Sequence, residues 1–397
     1  MKIIYLFTSP SLKGSSVQNK VLSQIKSLNK IGANCKGAFF STEVEQVYSF
    51  NEYVDFIPVD KCNWKYFRSL GQYSLVLRKT YQFISDKFSV TDFFYLRYSG
   101  ASLRLYFIVK KFGKKIISEH QSKEIIEINE SSAANPFNLR PSKFLSWFNY
   151  QFIPIFNEKI WGILFARKVK AIVTVTNELA LYQKAKGCEK VFIVPNGIDV
   201  SLYRVRLIPK LEKDITILFL KGTSTLASWN GLDRIINSID AFHKSNKSEY
   251  SFKLLICGRH FKNEFPVRDY IIHLDYLQGN DLDNVFNIAH IAASTMCSFR
   301  RGLEESAILK SREYFARGIP FIYAYKDVDF DESKIVKENT LHFVNDDSIL
   351  DMDKVVQFTI NRINHHNHAQ EMNRWASENL DYNIKMKALN NVLKTLV

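Results

Sequence analysis

The chain has 397 residues, 46% hydrophobic and 24% charged, with 15 glycines and 9 prolines. That balance excludes a disordered, fibrous or collagen-like protein and fits two or three globular domains. Its formal net charge of +14 is uneven: residues 1–200 carry 28 basic and 15 acidic side chains, residues 201–397 carry 26 and 25. Whatever partner explains the charge therefore meets the first half.

Taken in chain order, the first element is a strand at Lys2–Phe7. Its five-residue apolar run is shorter than the roughly 7–15 residues of a secretory core, so a buried strand is the better reading. Further strands are expected at Phe93–Leu96, Lys115–Ser118, Ala171–Thr176 and Val191–Val194, with helices such as Val17–Ile31 and Glu178–Lys186 between some of them. Ile198–Asp214 is charged and aperiodic and reads as a linker. A second series follows at Ile215–Leu220, Lys253–Cys257, Ile271–Leu274, Ile291–Ser294 and Phe321–Ala324, and Arg374–Leu396 reads as one closing helix. This is the rhythm of an α/β chain of two tandem Rossmann-like domains, 1–197 and 215–373, joined by 198–214, with residues 374–397 packing back on the first. Such tandem domains imply a deep interdomain cleft at the carboxyl ends of both sheets. Asn284–Phe299, the longest uncharged stretch, falls short of the roughly 20 apolar residues of a membrane span. Cys35, Cys62, Cys188, Cys257 and Cys297 are widely spaced without CxxC, which argues against zinc or a disulfide framework and for a reducing, cytoplasmic setting.

Two loops could carry chemistry. Thr8–Ser16, with Gly14, Ser15 and Ser16, feeds a helix start and could offer N–H groups to an anion or to sugar hydroxyls; an ordinary βα turn fits it equally well. In Gly302–Pro320, Glu305 and Glu313 are separated by seven residues. With Glu305 at a loop end and Glu313 on the next helix, both carboxylates can face one pocket, and a carboxylate on vicinal hydroxyls is a common way to hold ribose. Gly318 then stops the helix before Pro320. A solvated charged helix is the competing reading, since Lys310, Arg312 and Glu313 alternate with apolar positions.

The stretch resembles the Glu-x7-Glu signature of GT-B retaining glycosyltransferases, in particular the GT4 group. Val194–Asp199 (VPNGID), Val173–Glu178, Phe219–Leu232 with Gly222 and Gly231, and Leu380–Asn383 resemble further family segments in the same order, over nearly the full chain. The resemblance implies a sugar transferred from a UDP- or GDP-sugar to an acceptor hydroxyl with retained anomeric configuration, without metal or further cofactor. It implies that Glu313 holds the ribose, that Glu305 binds the transferred sugar, and that Ser306, Ala307, Ile308, Leu309 and Lys310 offer backbone N–H groups to sugar and diphosphate. His120 matches a histidine often placed near the sugar; a structural loop histidine is its competing reading. The family pattern also pairs an Arg with a Lys in the first donor loop, where this chain has Thr223 and Asn230. Lys221, Arg259 or Lys310 must then supply the missing charge, and Lys310, one turn ahead of Glu313, is the favoured candidate. Asp281-Leu282-Asp283, although spelled like a metal-binding DxD, reads as a loop capping the next helix.

For the acceptor, Phe137 to Phe165 holds nine aromatic residues flanked by Arg140, Lys143, Lys159, Arg167, Lys168 and Lys170. Rings beside cations suit the interface of an anionic bilayer, which points to a peripheral enzyme on the inner face of the cell membrane and to a lipid-linked glycan acceptor of bacterial surface polysaccharide assembly. A buried helical pair would account for the rings but not for the charge. An inactive GT-B protein, a sugar-nucleotide epimerase and a basic nucleic-acid-binding scaffold are the competing classes. The last lacks any recognisable nucleic-acid motif.

Overall fold

The computed structural model describes residues 1–8, 16–42, 52–63, 68–131, 141–222, 226–245, 248–259, 266–330 and 332–397. Gly14, Ser15 and Thr223 lie outside these residues, as do Phe137 and Arg140. The chain divides into two compact units, Met1–Pro195 with Lys385–Val397, and Asn196–Ile384.

The first unit is built on seven strands: β1 (Lys2–Phe7), β2 (Asn34–Ser41), β3 (Val54–Pro58), β4 (Phe93–Arg97), β5 (Ile116–His120), β6 (Ala171–Thr174) and β7 (Val191–Ile193). They lie in the order β3-β2-β1-β4-β5-β6-β7, all parallel. Ile3 pairs with Cys35 on one side and Phe93 on the other, so the order reverses beside β1. Five of the six β1 side chains are buried, because helices cover both faces of such a sheet and its central strands must be apolar throughout.

The second unit carries β8 (Asp214–Gly222), β9 (Ser251–Gly258), β10 (Ile271–Leu274), β11 (Ile291–Ala293), β12 (Glu305–Ser306), β13 (Phe321–Tyr323), β14 (Lys326–Asp327) and β15 (Thr340–His342). Six of them form a parallel sheet, β10-β9-β8-β11-β13-β15, and β12 pairs with β14 in a two-residue ladder. These two doubly wound parallel sheets are the α/β architecture read from the alternation of short apolar runs and helical segments.

Three segments differ from their expected form. The segment read as a linker is part of the second unit, with Ile198, Val200 and Arg206 buried in it. The closing helix is two helices, His368–Asn379 and Tyr382–Lys394. Asp381 breaks the pattern because its carboxylate accepts the Asn383 N–H at 2.8 Å and the Val200 N–H at 3.2 Å. Beside it the Ile198 N–H donates to Leu380 O, and the Tyr382 N–H donates to Ile198 O, each at 2.9 Å. Asp281 and Asp283 stand inside the helix Gly279–Ile288 rather than in a capping loop; Gln278 precedes it, and Asp283 pairs with Arg317.

Gly318 ends the helix Leu309–Arg317 at φ +73°, and a Cβ there would stand 2.4 Å from the backbone oxygen of Ala369. The neighbour is backbone, so it cannot rotate away. Gly318→Ala is expected to cost about 2–3 kcal/mol, from the left-handed conformation plus overpacking; a urea midpoint within error of wild type would contradict this.

Candidate functional site

The second unit's candidate loop leaves β11, passes a short turn at Ser298–Arg301 and reaches β12, where Glu305 and Ser306 pair with Lys326 and Asp327. Ala307 and Ile308 then lead into the helix Leu309–Arg317. Ile308, at the N-cap, makes no side-chain cap hydrogen bond, and the loop that carries Glu305 leads directly into this helix start.

Glu305 is mostly buried, and its carboxylate lies 3.0 Å from the Lys326 ammonium. Lys326 is 73% exposed on its side chain, so the pair is solvent-screened and contributes little. Glu313, eight positions on, accepts from Arg317 Nε at 2.8 Å one turn away. Burial holds its carboxyl above the usual carboxylate range, against the lowering effect of Arg317. Arg317 also binds Asp283 and covers the Phe286 ring at 4.4 Å.

Lys310 donates to Asn230 Oδ1 at 2.9 Å and stands 4.5 Å over the Phe219 ring. Asn230 occupies a position where the family resemblance expects a cation, and Lys310 brings an ammonium to that place from the helix. No carboxylate pairs with it among the described residues. Burial, aided by the neighbouring Arg301, pushes the ammonium down to about 7. Arg301 lies 4.0 Å over the Trp229 ring and donates to Ser306 Oγ at 3.2 Å. The turns carrying Trp229 and Arg301 are fastened by Met296 N–H to Asn230 O and Cys297 N–H to Trp229 O. Arg300 next to it is instead neutralised by Asp233 and Asp347.

The charged-helix reading fails at Arg312, which is fully buried. Its guanidinium binds both Asp327 oxygens, reaches Asp329 Oδ2 at 2.7 Å, and donates from Nε to Asn196 O at 3.2 Å. Asn196 in turn donates to Ala307 O at 2.7 Å. Arg312 therefore fixes β14 and the Asn196 turn against the candidate loop. Its signal was in the sequence: Arg312 shares the helical face of Phe315 and Ala316, at three- and four-residue spacings. Arg301 had no comparable signal, because its role depends on which turns pack together.

Ser306 and Ala307 are buried, and Ile308 and Leu309 frame the helix start. The Lys221 ammonium donates to the carbonyl of Arg259, whose side chain is exposed after β9. Gly222 ends β8 opposite Gly258. The second unit thus gathers Glu305, Ser306, Lys310 and Glu313 on one loop and helix.

In the first unit, Ser16 opens the helix Ser16–Lys30. His120 ends β5 rather than standing in a loop, and it is 2% exposed. Its Nδ1 lies 2.5 Å from Glu124 and 3.1 Å from Gln183, its Nε2 3.1 Å from Ser118, and Tyr98 stacks on its ring at 4.2 Å. Lys186 bridges Glu124 at 2.8 Å and Glu158 at 3.4 Å, while Glu158 accepts from the Tyr98 hydroxyl at 2.8 Å and the Ala101 N–H at 2.6 Å. His120 and Lys186 hold the Glu124 carboxyl near 2 despite burial, whereas burial raises that of Glu158. Beside this network Glu119 accepts from Tyr5 at 2.6 Å and Lys20 at 2.8 Å.

The aromatic segment forms helical turns from Pro141 to Ala166, two of them widened into π turns. Phe144, Tyr150, Phe152 and Phe156 are 38–52% exposed, and the rings of Phe148, Phe152 and Phe156 stack in succession. The buried helical pair is therefore not the arrangement. No helix is long and apolar enough to cross a membrane among the described residues, and none of these residues forms a cluster of three or more His, Cys, Asp or Glu side chains placed to hold a metal.

No family model matches the sequence, and no curated protein matches it. Solved structures do match in fold. A glycosyltransferase from Rickettsia africae is similar over 100% of this chain and 98% of its own, with 16% identity and a TM-score of 0.62. The Anabaena protein HepE, solved in complex with UDP-glucose, is similar over 100% of both chains, with 12% identity and a TM-score of 0.63. WaaG, a glycosyltransferase involved in lipopolysaccharide biosynthesis, is similar over 97% of this chain and 98% of its own, at 13% identity and 0.58. These likenesses are of fold, and together with the two parallel sheets they make the architecture of this chain that of the GT-B glycosyltransferases.

Proposed function

We propose that this chain is a glycosyltransferase that moves a sugar from a UDP- or GDP-sugar to an acceptor hydroxyl with retained anomeric configuration. The observation that carries the reading is the loop and helix of Glu305–Glu313: a carboxylate at each end and, between them, a helix start with no side-chain cap at Ile308, beside the Lys310 ammonium, which has no carboxylate partner among the described residues. Glu313 takes the ribose hydroxyls, and Glu305 the hydroxyls of the sugar. The leaving diphosphate gains charge as the glycosidic bond breaks, and the helix start, Lys310 and Arg301 stabilise that charge most where it is greatest. Gly222, Thr223 and Arg259 border the donor, with no metal or further cofactor required. His120 serves the transferred sugar, and the Gly14–Ser16 loop serves the acceptor side.

The acceptor reading is a lipid-linked glycan in surface polysaccharide assembly, met at an anionic membrane on the cytoplasmic side. It is supported by the exposed ring series Phe144–Phe156 and by the positive charge of residues 1–200. Phe152→Ser/Phe156→Ser is expected to lower co-sedimentation with anionic vesicles about tenfold, from two exposed rings lost to the bilayer contact. Equal sedimentation with neutral and anionic vesicles would overturn the membrane reading.

The deciding experiment for the activity measures nucleotide release from UDP- and GDP-sugars. Release from one donor, with Glu313→Gln at least about a hundredfold slower, is the expected result. Absence of release and of binding by every donor would refute the reading, whereas binding without release would identify an inactive GT-B protein.

A further inference from the structure

We infer that a cleft of about 480 Å³ on the second unit, lined by Arg204, Arg206, Arg317, Asn280, Asn284 and Asp283, binds a phosphate group, free or as a monoester. The cleft is formed by the 204–207 segment, one face of the helix Gly279–Ile288 and the end of the helix Leu309–Arg317. Among the described residues, its lining meets the Glu305–Glu313 segment through the Arg317–Glu313 pair.

The unusual group is Arg206. It is 3% exposed, and all three of its nitrogens are held by neutral acceptors: Gly318 O at 3.1 Å, Ala289 O, and His368 Nε2 at 3.2 Å. No carboxylate pairs with it among the described residues. Burial pushes the guanidinium down to about 9, the mark of a charge taken from water without a counter-ion. An anion in the adjoining cleft would offset that cost.

The rest of the lining suits the same guest. Arg204 lines the cleft with its side chain 77% exposed, its Nη1 donating to Asn280 Oδ1 at 3.2 Å and its Nε 3.9 Å from Asp283. Its other terminal nitrogen has no hydrogen bond among the described residues. Asn280, Asn284 and Asn287 recur at four and three positions and so stand on one helical face. The Asn284 amide makes no hydrogen bond among the described residues, while Asn287 Oδ1 accepts the Leu207 N–H at 2.8 Å and pins the cleft wall. Arg317 is balanced by Asp283 and Glu313, so Arg204 and Arg206 give the site its positive charge. Planar guanidinium forks and amide N–H groups match the oxygens of a tetrahedral oxyanion, and the volume leaves room for an alcohol of sugar size beside it.

The test is calorimetric titration of the full chain with inorganic phosphate and, separately, with a hexose 6-phosphate at constant ionic strength. Wild type is expected to bind at least one of them, Arg204→Gln about fivefold and Asn284→Asp about tenfold more weakly, since one removes a charged donor and the other adds a repelling charge. Both positions are exposed, so both variants should keep the wild-type melting temperature. Tighter binding of the ester identifies a phosphomonoester ligand, and tighter binding of inorganic phosphate identifies the free ion. Failure of wild type to bind either probe, or unchanged affinity in both variants, overturns the inference. It stands apart from the sugar-transfer reading, which donor binding tests separately.

Discussion

Arg312→Met is expected to destabilise the second unit by about 3–5 kcal/mol, the cost of leaving a buried charge without its partner. The guanidinium is fully buried between Asp327 and Asp329, and burial already holds the Asp327 carboxyl above its ordinary range against the pull of Arg312. Methionine fills the volume but leaves two acids facing an apolar wall. They must take up protons or admit water. Adding Asp327→Asn should recover part of the loss, because the coupled pair is removed together. Hydrogen exchange of the 309–317 amides reads the second unit alone, which matters in a chain of two units. Protection reduced by less than a factor of about ten, roughly 1.4 kcal/mol, would show that Arg312 is not the clamp described.

Lys310→Met should lower turnover about a hundredfold or more while leaving stability unchanged or improved, since it removes a cation poised at a developing anion. The reverse balance, lost stability with normal turnover, would make Lys310 structural. Its ammonium titrates near 7, so pH supplies an independent check. Below about 7 it is charged and attracts the diphosphate; as pH rises through 7 it loses the proton and binding weakens. Affinity for UDP or GDP should therefore fall with rising pH in wild type and lose that part of its slope in Lys310→Met. Stability moves oppositely: the folded pKa lies below the unfolded value, so the cost of burying the charge is relieved as pH rises from about 7 toward 10.5.

How much was legible in the sequence depended on burial. β1 was readable to the residue, because a central parallel strand is an unbroken apolar run. β10 matched as well, its short Ile271–Leu274 run bounded by polar residues. β2 was missed since Lys36 and Gly37 interrupt it; that glycine is packed so closely that a Cβ would stand 2.9 Å from Ile25. β3 lies at the sheet edge with mixed exposure and carries no strong pattern. In the candidate site, Glu305, Lys310 and Glu313 follow from spacing along one loop and helix. Arg301 and the Trp229 stack do not, because they join turns some 70 residues apart, and only tertiary packing brings those together. His120 was singled out by the family resemblance, with a loop residue past Ser118 as the competing reading, while the structure ends β5 on it and holds both ring nitrogens inside a polar network.

The clasp between Ile198 and residues 380–382 bears on how the chain is made. It pins the two ends of the second unit to each other, so residues 196–384 form an insert in the first unit rather than a successor to it. The insert is one continuous piece, whereas the first unit is made in two, 1–195 and 385–397, with the whole insert between them. Final closure of the first unit therefore waits on synthesis of the second, unlike an uninterrupted N-terminal domain, which can fold as it is made.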